Sequence, residues 1–234
     1  VSDFHGICDS AIPPVSSSVC AYVICIVTLQ PWLHDHALPY IAIYMALYIL
    51  SLLCQIASMF TDPGAVPLDS CGGSERCTKC NVMRPHRAHH CSRCRRCIQK
   101  MDHHCHWVNN CVGAHNQKHF VLCLLYSNLQ CIMSLVVLVL RKISCRRPSS
   151  LPHNRSAILR PNAMGHLQMV IEEDFEALAR MDAAFEESSG CAAWESFLIS
   201  RMFVVVASLG FGYLTGVFLY HQIENISKNR TGIE

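Results

Sequence analysis

CTKCNVMRPHRAHHCSRCRRCIQKMDHHCHWVNNC, residues 77–111, places seven cysteines within 35 residues. Cys77 and Cys80 form one C-x2-C pair; Cys91, Cys94 and Cys97 form two overlapping ones. Two intervening residues let both sulfurs reach one tetrahedral ion, so such pairs are natural zinc half-sites. His90 and His104 fall in register with them, and the donors then number nine: seven cysteines and two imidazoles. Two sites of four ligands consume eight. One cysteine is left over.

Chemistry selects Cys105 as the spare. A thiol is a useful nucleophile only as thiolate, and a neighbouring imidazole can take its proton. His103 lies two residues earlier, so in an extended segment both side chains share a face while His104 points the other way, towards metal. Asp102 is suited to hold the His103 tautomer, as in Asp–His–nucleophile sets generally. Strict alternation puts Asp102 on the opposite face, so that contact needs a turn. A purely structural zinc module, with Cys105 an ordinary buried thiol, fits the spacing equally well. A nucleic-acid zinc module, suggested by Arg93, Arg95 and Arg96, conflicts with anchorage between membrane spans; those arginines suit anionic headgroups or a phosphate-bearing substrate.

The flanks of this loop are apolar. Across 234 residues the chain is 51% hydrophobic and 15% charged, against roughly 25% charged in ordinary soluble domains. Its net charge of +2 gives no general attraction to nucleic acid. Four stretches, about Val15–Leu33, Leu38–Phe60, His119–Leu140 and Met202–Tyr220, approach the roughly 20 residues that cross a bilayer. Ser16, Ser17 and Ser18 dilute the first. Asp62-Pro63-Gly64 stops the second. Asn128 and Gln130 lie mid-way along the third, where polar groups face neighbouring helices or a cavity. Gly210, Gly212 and Gly216 permit close packing of the fourth. With no basic segment before the first apolar run, no cleaved signal peptide is expected.

Loop charges orient the spans. Residues 61–118 carry nine Lys and Arg against Asp62, Asp69, Glu75 and Asp102. That loop is expected in the cytosol, a reducing compartment suited to free thiols, and both termini with it. Arg141, Lys142, Arg146 and Arg147 conflict with this, following the third span on the lumenal side. Between them and Glu195 an amphipathic helix is expected near Gln168–Glu187, from the spacing of Met169, Val170, Phe175, Leu178, Met181 and Phe185. Asn154-Arg155-Ser156 is a glycosylation sequon there. The expected fold is an all-α integral membrane protein of four transmembrane helices, with a cytosolic two-zinc domain between the second and third. Its segments are 1–60, 61–118, 119–140, 141–196 and 197–234.

Residues 77–120 resemble the DHHC-type protein S-acyltransferases, or palmitoyltransferases. The hallmarks are Arg84-Pro85, Arg87, His90-Cys91, Asp102-His103-His104-Cys105, Trp107-Val108-Asn109-Asn110-Cys111, Gly113, Asn116 and Phe120. Asp62-Pro63-Gly64 looks like the family's D-P-G, and Thr231-Gly232-Ile233-Glu234 like its T-T-x-E. The resemblance implies one zinc on Cys77, Cys80, His90 and Cys97, and another on Cys91, Cys94, His104 and Cys111. It implies acyl transfer from a fatty acyl-CoA such as palmitoyl-CoA, through Cys105, to cysteines of membrane-associated substrate proteins, with His103 as base and Asp102 orienting it. Arg84, Arg87 and His89 are candidate contacts for CoA phosphates. The D-P-G-A-V-P run and the T-G-I-E ending look like Golgi-resident members.

Three departures stand out. His106 occupies the place of the family's usual Pro after the nucleophile, which frees φ and adds an N–H. Gly232 replaces the second Thr of T-T-x-E. The segment 141–195 is unusual in length. His106 motivates the alternative reading, a zinc-folded membrane adaptor with weak or lost catalysis.

Overall fold

Among the described residues three helices are long and apolar enough to cross a membrane: α1 (Ala37–Phe60), α2 (Gln117–Ser144) and α3 (Leu198–Ser227). They come from a computed structural model that describes residues 37–70, 72–145 and 198–234, with the backbone of 155–161 and 167–173. The 24 residues of α1 give about 36 Å of helix, enough for a hydrocarbon core of about 30 Å. The expected first span, Val15–Leu33, lies outside the described residues, so three of the four expected spans are seen.

α2 packs against both α1 and α3. Near one end Tyr44, Val137, Leu138 and Val204 bring all three helices into one buried cluster. Asn128 donates from Nδ2 to the Gly212 carbonyl (2.7 Å) and to Thr215 Oγ1 (3.3 Å). Asn128 thus faces a neighbouring helix, as expected, and Gln130 is buried in the bundle. A Cβ on Gly212 would lie 3.1 Å from Cys131 Cβ, and one on Gly216 3.1 Å from Asn128 Nδ2, whereas Gly210 faces open space. Two of the three glycines therefore serve packing. Leu53, Ile56, Phe60, Val206 and Tyr213 are exposed on the bundle's outside, where apolar surface suits lipid.

α2 and α3 overrun their expected bounds. α2 continues past Leu140 because Arg141 is packed into the bundle, 1% exposed, instead of ending the helix at an interface. α3 continues past Tyr220 to Ser227, carrying buried Gln222 beyond the apolar run.

The loop between α1 and α2 is not helical, so the all-α class describes only the membrane part. It folds into three antiparallel hairpins of three-residue strands: β1 (Glu75–Cys77) with β2 (Val82–Arg84), β3 (His89–Cys91) with β4 (Arg96–Ile98), and β5 (His103–Cys105) with β6 (Asn110–Val112). After the first two C-x2-C turns the chain reverses through Asn81 (φ 58°) and Arg95 (φ 52°), both left-handed. Strands this short do not stand alone, so side-chain contacts must hold the module.

Two asparagines tie the module to α1. The last carbonyls of a helix lack intrahelical donors, and Asn110 Nδ2 reaches Ser58 O, Met59 O and Thr61 O at 3.2, 3.2 and 3.0 Å. Asn116, fully buried, donates to Ser58 O (3.2 Å) and Cys111 O (2.8 Å) and accepts from Gly113 N–H (2.9 Å). Asp62 closes the turn after α1, accepting from Gly64 N–H (2.8 Å) and Ala65 N–H (2.7 Å), with Arg96 at 3.0 Å.

Beyond α2, β7 (Arg155–Pro161) pairs antiparallel with β8 (Leu167–Glu173). This corrects the amphipathic helix expected near Gln168–Glu187 over its first turn and a half. Leu167, Met169 and Ile171 alternate with Gln168, Val170 and Glu172, a period-two pattern with two β-branched residues and a partner strand nearby. The rest of that expected helix, and Asn154, lie outside the described residues.

Candidate active site

The hairpins gather two four-residue groups whose ligand atoms lie within 4.8 Å of one another: Cys77, Cys80, His90 and Cys97, and Cys91, Cys94, His104 and Cys111. A tetrahedral zinc with sulfur at about 2.3 Å and nitrogen at about 2.0–2.1 Å sets its ligand atoms roughly 3.5–3.8 Å apart. Here Cys80 Sγ lies 3.1 Å and Cys77 Sγ 3.8 Å from His90 Nδ1, and Cys97 Sγ lies 3.8 Å from Cys80 Sγ. In the second group Cys91, Cys94 and Cys111 Sγ lie 3.6, 3.4 and 3.6 Å from His104 Nδ1. All these cysteines are free thiols. The donor sets fit two zinc ions.

Proton affinities support the fit. Contact with Cys111 pulls Cys94 down to about 5, and the Cys80 backbone N–H draws Cys77 to about 7. Burial and its thiol neighbours push Cys97 up to about 12, and the Cys94 contact likewise raises Cys111. Crowded thiols without a cation cannot all ionise. A divalent ion removes that conflict.

Cys105 belongs to neither group. β5 sets His104 opposite Cys111 in the ladder, while the alternation of the strand puts His103 and Cys105 on its other face, close enough for the thiol to help raise the imidazole's pKa. The alternation expected for this strand thus serves two purposes on two faces. Cys105 is 6% exposed and packs with Val108, Val112, Phe120 and Leu124. Asp102, just before β5, brings Oδ2 to 2.6 Å from His103 Nδ1, although its backbone N–H still bonds Val112 O as an extension of the ladder. His103 also meets the Phe120 ring edge-on at 5.3 Å. Burial disfavours the imidazolium, but Asp102 and Cys105 outweigh it and lift His103 to about 9.

Asp102 is 3% exposed. Besides His103 it accepts from the Gly232 backbone N–H (2.6 Å, Oδ1) and from Gln222 Nε2 (2.7 Å, Oδ2). Burial works to raise its pKa, and these donors more than offset it, holding the carboxyl below its ordinary value. Because the Gly232 contact is made by backbone, the missing threonine side chain leaves it intact.

The candidate phosphate contacts fare differently. Arg84 pairs with Glu75. Arg87 is held by Glu234 at 2.7 and 2.9 Å and by the Asn229 carbonyl at 2.9 Å. His89 is half-buried in β3. His106, exposed, opens a short 3-10 turn and lies edge-on to His104 at 5.7 Å, with the Asp102–His103–Cys105 set assembled beside it.

Behind the residues that pack on Cys105 a small pocket opens among the helices. Trp107, Val108, Phe120 and Leu124 line its near end, with Tyr48, Leu52 and Phe211 further along. Asn110 and Asn116 stood out in the sequence only as family hallmarks, and Gln117 and Gln222 not at all. A polar residue at the end of an apolar run, spaced from nothing in particular, marks itself only once the helices are packed.

A model of the DHHC palmitoyltransferase family matches residues 70–234. Palmitoyltransferase ZDHHC7 of Rattus norvegicus is 44% identical over 118 residues, covering 45% of this chain and 38% of the relative. Palmitoyltransferase ZDHHC3-A of Danio rerio is 41% identical over 116 residues, 44% and 37% of the two chains. Probable protein S-acyltransferase 12 of Arabidopsis thaliana is 35% identical over 119 residues, 42% and 41%. The matches span less than half the length of these relatives. The family match runs from just before the first hairpin to the tail that closes on Asp102, and by it the chain belongs to the DHHC palmitoyltransferase family.

Proposed function

We propose that the chain is a multi-pass membrane protein S-acyltransferase, moving a palmitoyl or similar long acyl group from acyl-CoA to cysteines of membrane-associated proteins. The observation that carries this reading is Cys105: outside both metal groups, on the same face of β5 as His103, and packed against Val108, Phe120 and Leu124, which line an apolar pocket among the helices. In the first stage Cys105 Sγ attacks the thioester carbonyl and CoA leaves as its thiol. The proton taken from Cys105 by His103 passes to the departing sulfur, and Asp102 stabilises the imidazolium between. In the second stage a substrate cysteine attacks the acyl-Cys105 carbonyl and Cys105 departs, with His103 again carrying the proton. In this reading the acyl chain enters the apolar pocket between the helices. Zinc shapes the module and takes no part in these steps.

With Arg84 and Arg87 engaged internally, His89 is the candidate left for CoA phosphates. The module faces the cytosol in this reading, supported by its nine basic residues and free thiols at one end and by the disulfide-bonded Cys145 at the other end of α2. Disulfides persist in oxidising compartments. Glycosylation at Asn154 tests the orientation, and an unmodified Asn154 with modification at a sequon engineered near Gly72 inverts it. The D-P-G-A-V-P and T-G-I-E motifs support residence in the Golgi.

Purified protein incubated with labelled palmitoyl-CoA is expected to take up hydroxylamine-sensitive label, and Cys105→Ser to take up none. Equal labelling of the two proteins rejects the proposal.

A further inference from the structure

A carboxylate that orients a histidine is only as well placed as its own partners make it. Asp102 rests on two anchors besides His103: the Gly232 N–H on Oδ1 and Gln222 Nε2 on Oδ2. Gln222 comes from α3, 120 residues away in sequence, and is itself 4% exposed. Its amide could turn either way about the last side-chain bond, presenting oxygen or nitrogen to Asp102. Gln117, at the first turn of α2 and 7% exposed, donates from Nε2 to Gln222 Oε1 at 3.2 Å. That bond commits the oxygen, so the nitrogen faces Asp102.

We propose that Gln222 is a positioning residue for the acyl-transfer reaction, fixing Asp102, and through it His103, from a membrane helix, with Gln117 setting its orientation. This rests on the S-acyltransferase reading. The two glutamines couple α2 and α3 to the nucleophile's base by neutral hydrogen bonds, adding no charge to the site. Losing the Gln222 donor leaves Oδ2 with His103 alone, so that the carboxylate can tilt about its remaining anchor, the Gly232 N–H on Oδ1. His103 Nδ1 follows the carboxylate, and the ring then turns relative to Cys105 on the same strand face. Displacements near 1 Å at reacting groups cost on the order of 10²-fold in rate.

The experiment uses the zinc-loaded full chain and autoacylation by labelled palmitoyl-CoA over a concentration series. Gln222→Met keeps length and volume but removes donor and acceptor. It is expected to lower the saturating rate on the order of 10–100-fold, with the half-saturating palmitoyl-CoA concentration, zinc content and thermal midpoint unchanged. Gln222→Glu, with a second carboxylate facing Asp102, is expected to lose at least as much. Gln117→Met, which frees the amide to turn, is expected to lose less and in the same parameter; it decides the matter if both Gln222 variants fail to fold. A saturating rate unchanged in these variants, or a loss that tracks zinc content or half-saturation instead, overturns the proposal. An unlabelled wild type overturns the S-acyltransferase reading instead.

Discussion

Asp102 and His103 make opposite demands on pH. His103 is lifted from 6.5 to about 9 in the folded protein, so its pairing contributes full stability below about pH 6.5 and loses it as pH rises through 9. Asp102 is held below its ordinary value, so its contribution is present above the unfolded carboxyl pKa and is lost as pH falls towards its folded value. The thermal midpoint of wild type is therefore expected to exceed that of Asp102→Asn most near pH 6, with the gap narrowing by pH 9; a constant gap refutes the pairing. At Gly232 an added Cβ would lie 3.2 Å from Asp102 Oδ1, so Gly232→Ala is expected to shift the tail slightly and cut autoacylation severalfold. Two-residue spacing and strand alternation made the shared face of His103 and Cys105 legible, while the Asp102 contact ran against that alternation. The sequence concealed what Arg84 and Arg87 do, since a basic residue reads the same whether it meets a phosphate or Glu75 and Glu234.

Among the elements, the β5–β6 hairpin and the end of α1 depend on each other. Asn116 serves Ser58 O, Cys111 O and Gly113 N–H in a buried position. Asn116→Ala leaves those groups unpaired at a cost of about 3 kcal/mol, visible as a lower thermal midpoint with weaker zinc retention. An unchanged midpoint removes Asn116 from that role. The membrane helices were legible because long apolar runs have few other fates, and Asp62-Pro63-Gly64 marked the end of α1 correctly. β8 was not: Val170 and Met169 fit helical and strand periods equally over so short a run, and only pairing with β7 decides between them. The overrun of α3 to Ser227 was hidden for a different reason. Hydropathy ends at Tyr220, while the helix goes on because Gln222 finds buried partners beyond it.

The whole molecule is a membrane bundle carrying a module with little core of its own. Three-residue strands and two ligand groups make metal the main source of the module's order. Strong chelators are expected to make residues 77–111 protease-sensitive while α1, α2 and α3 stay inserted; unchanged resistance overturns the two-zinc assignment. The docking of the tail also has a temporal side. Gly232 meets a carboxylate 130 residues earlier in the chain, and Glu234 an arginine 147 residues earlier. During synthesis the zinc ligands emerge and can fill first, while the partners of Asp102 and Arg87 wait for α3 to enter the bilayer. A nascent chain therefore holds its metal ligands together before Asp102 and Arg87 have met their partners.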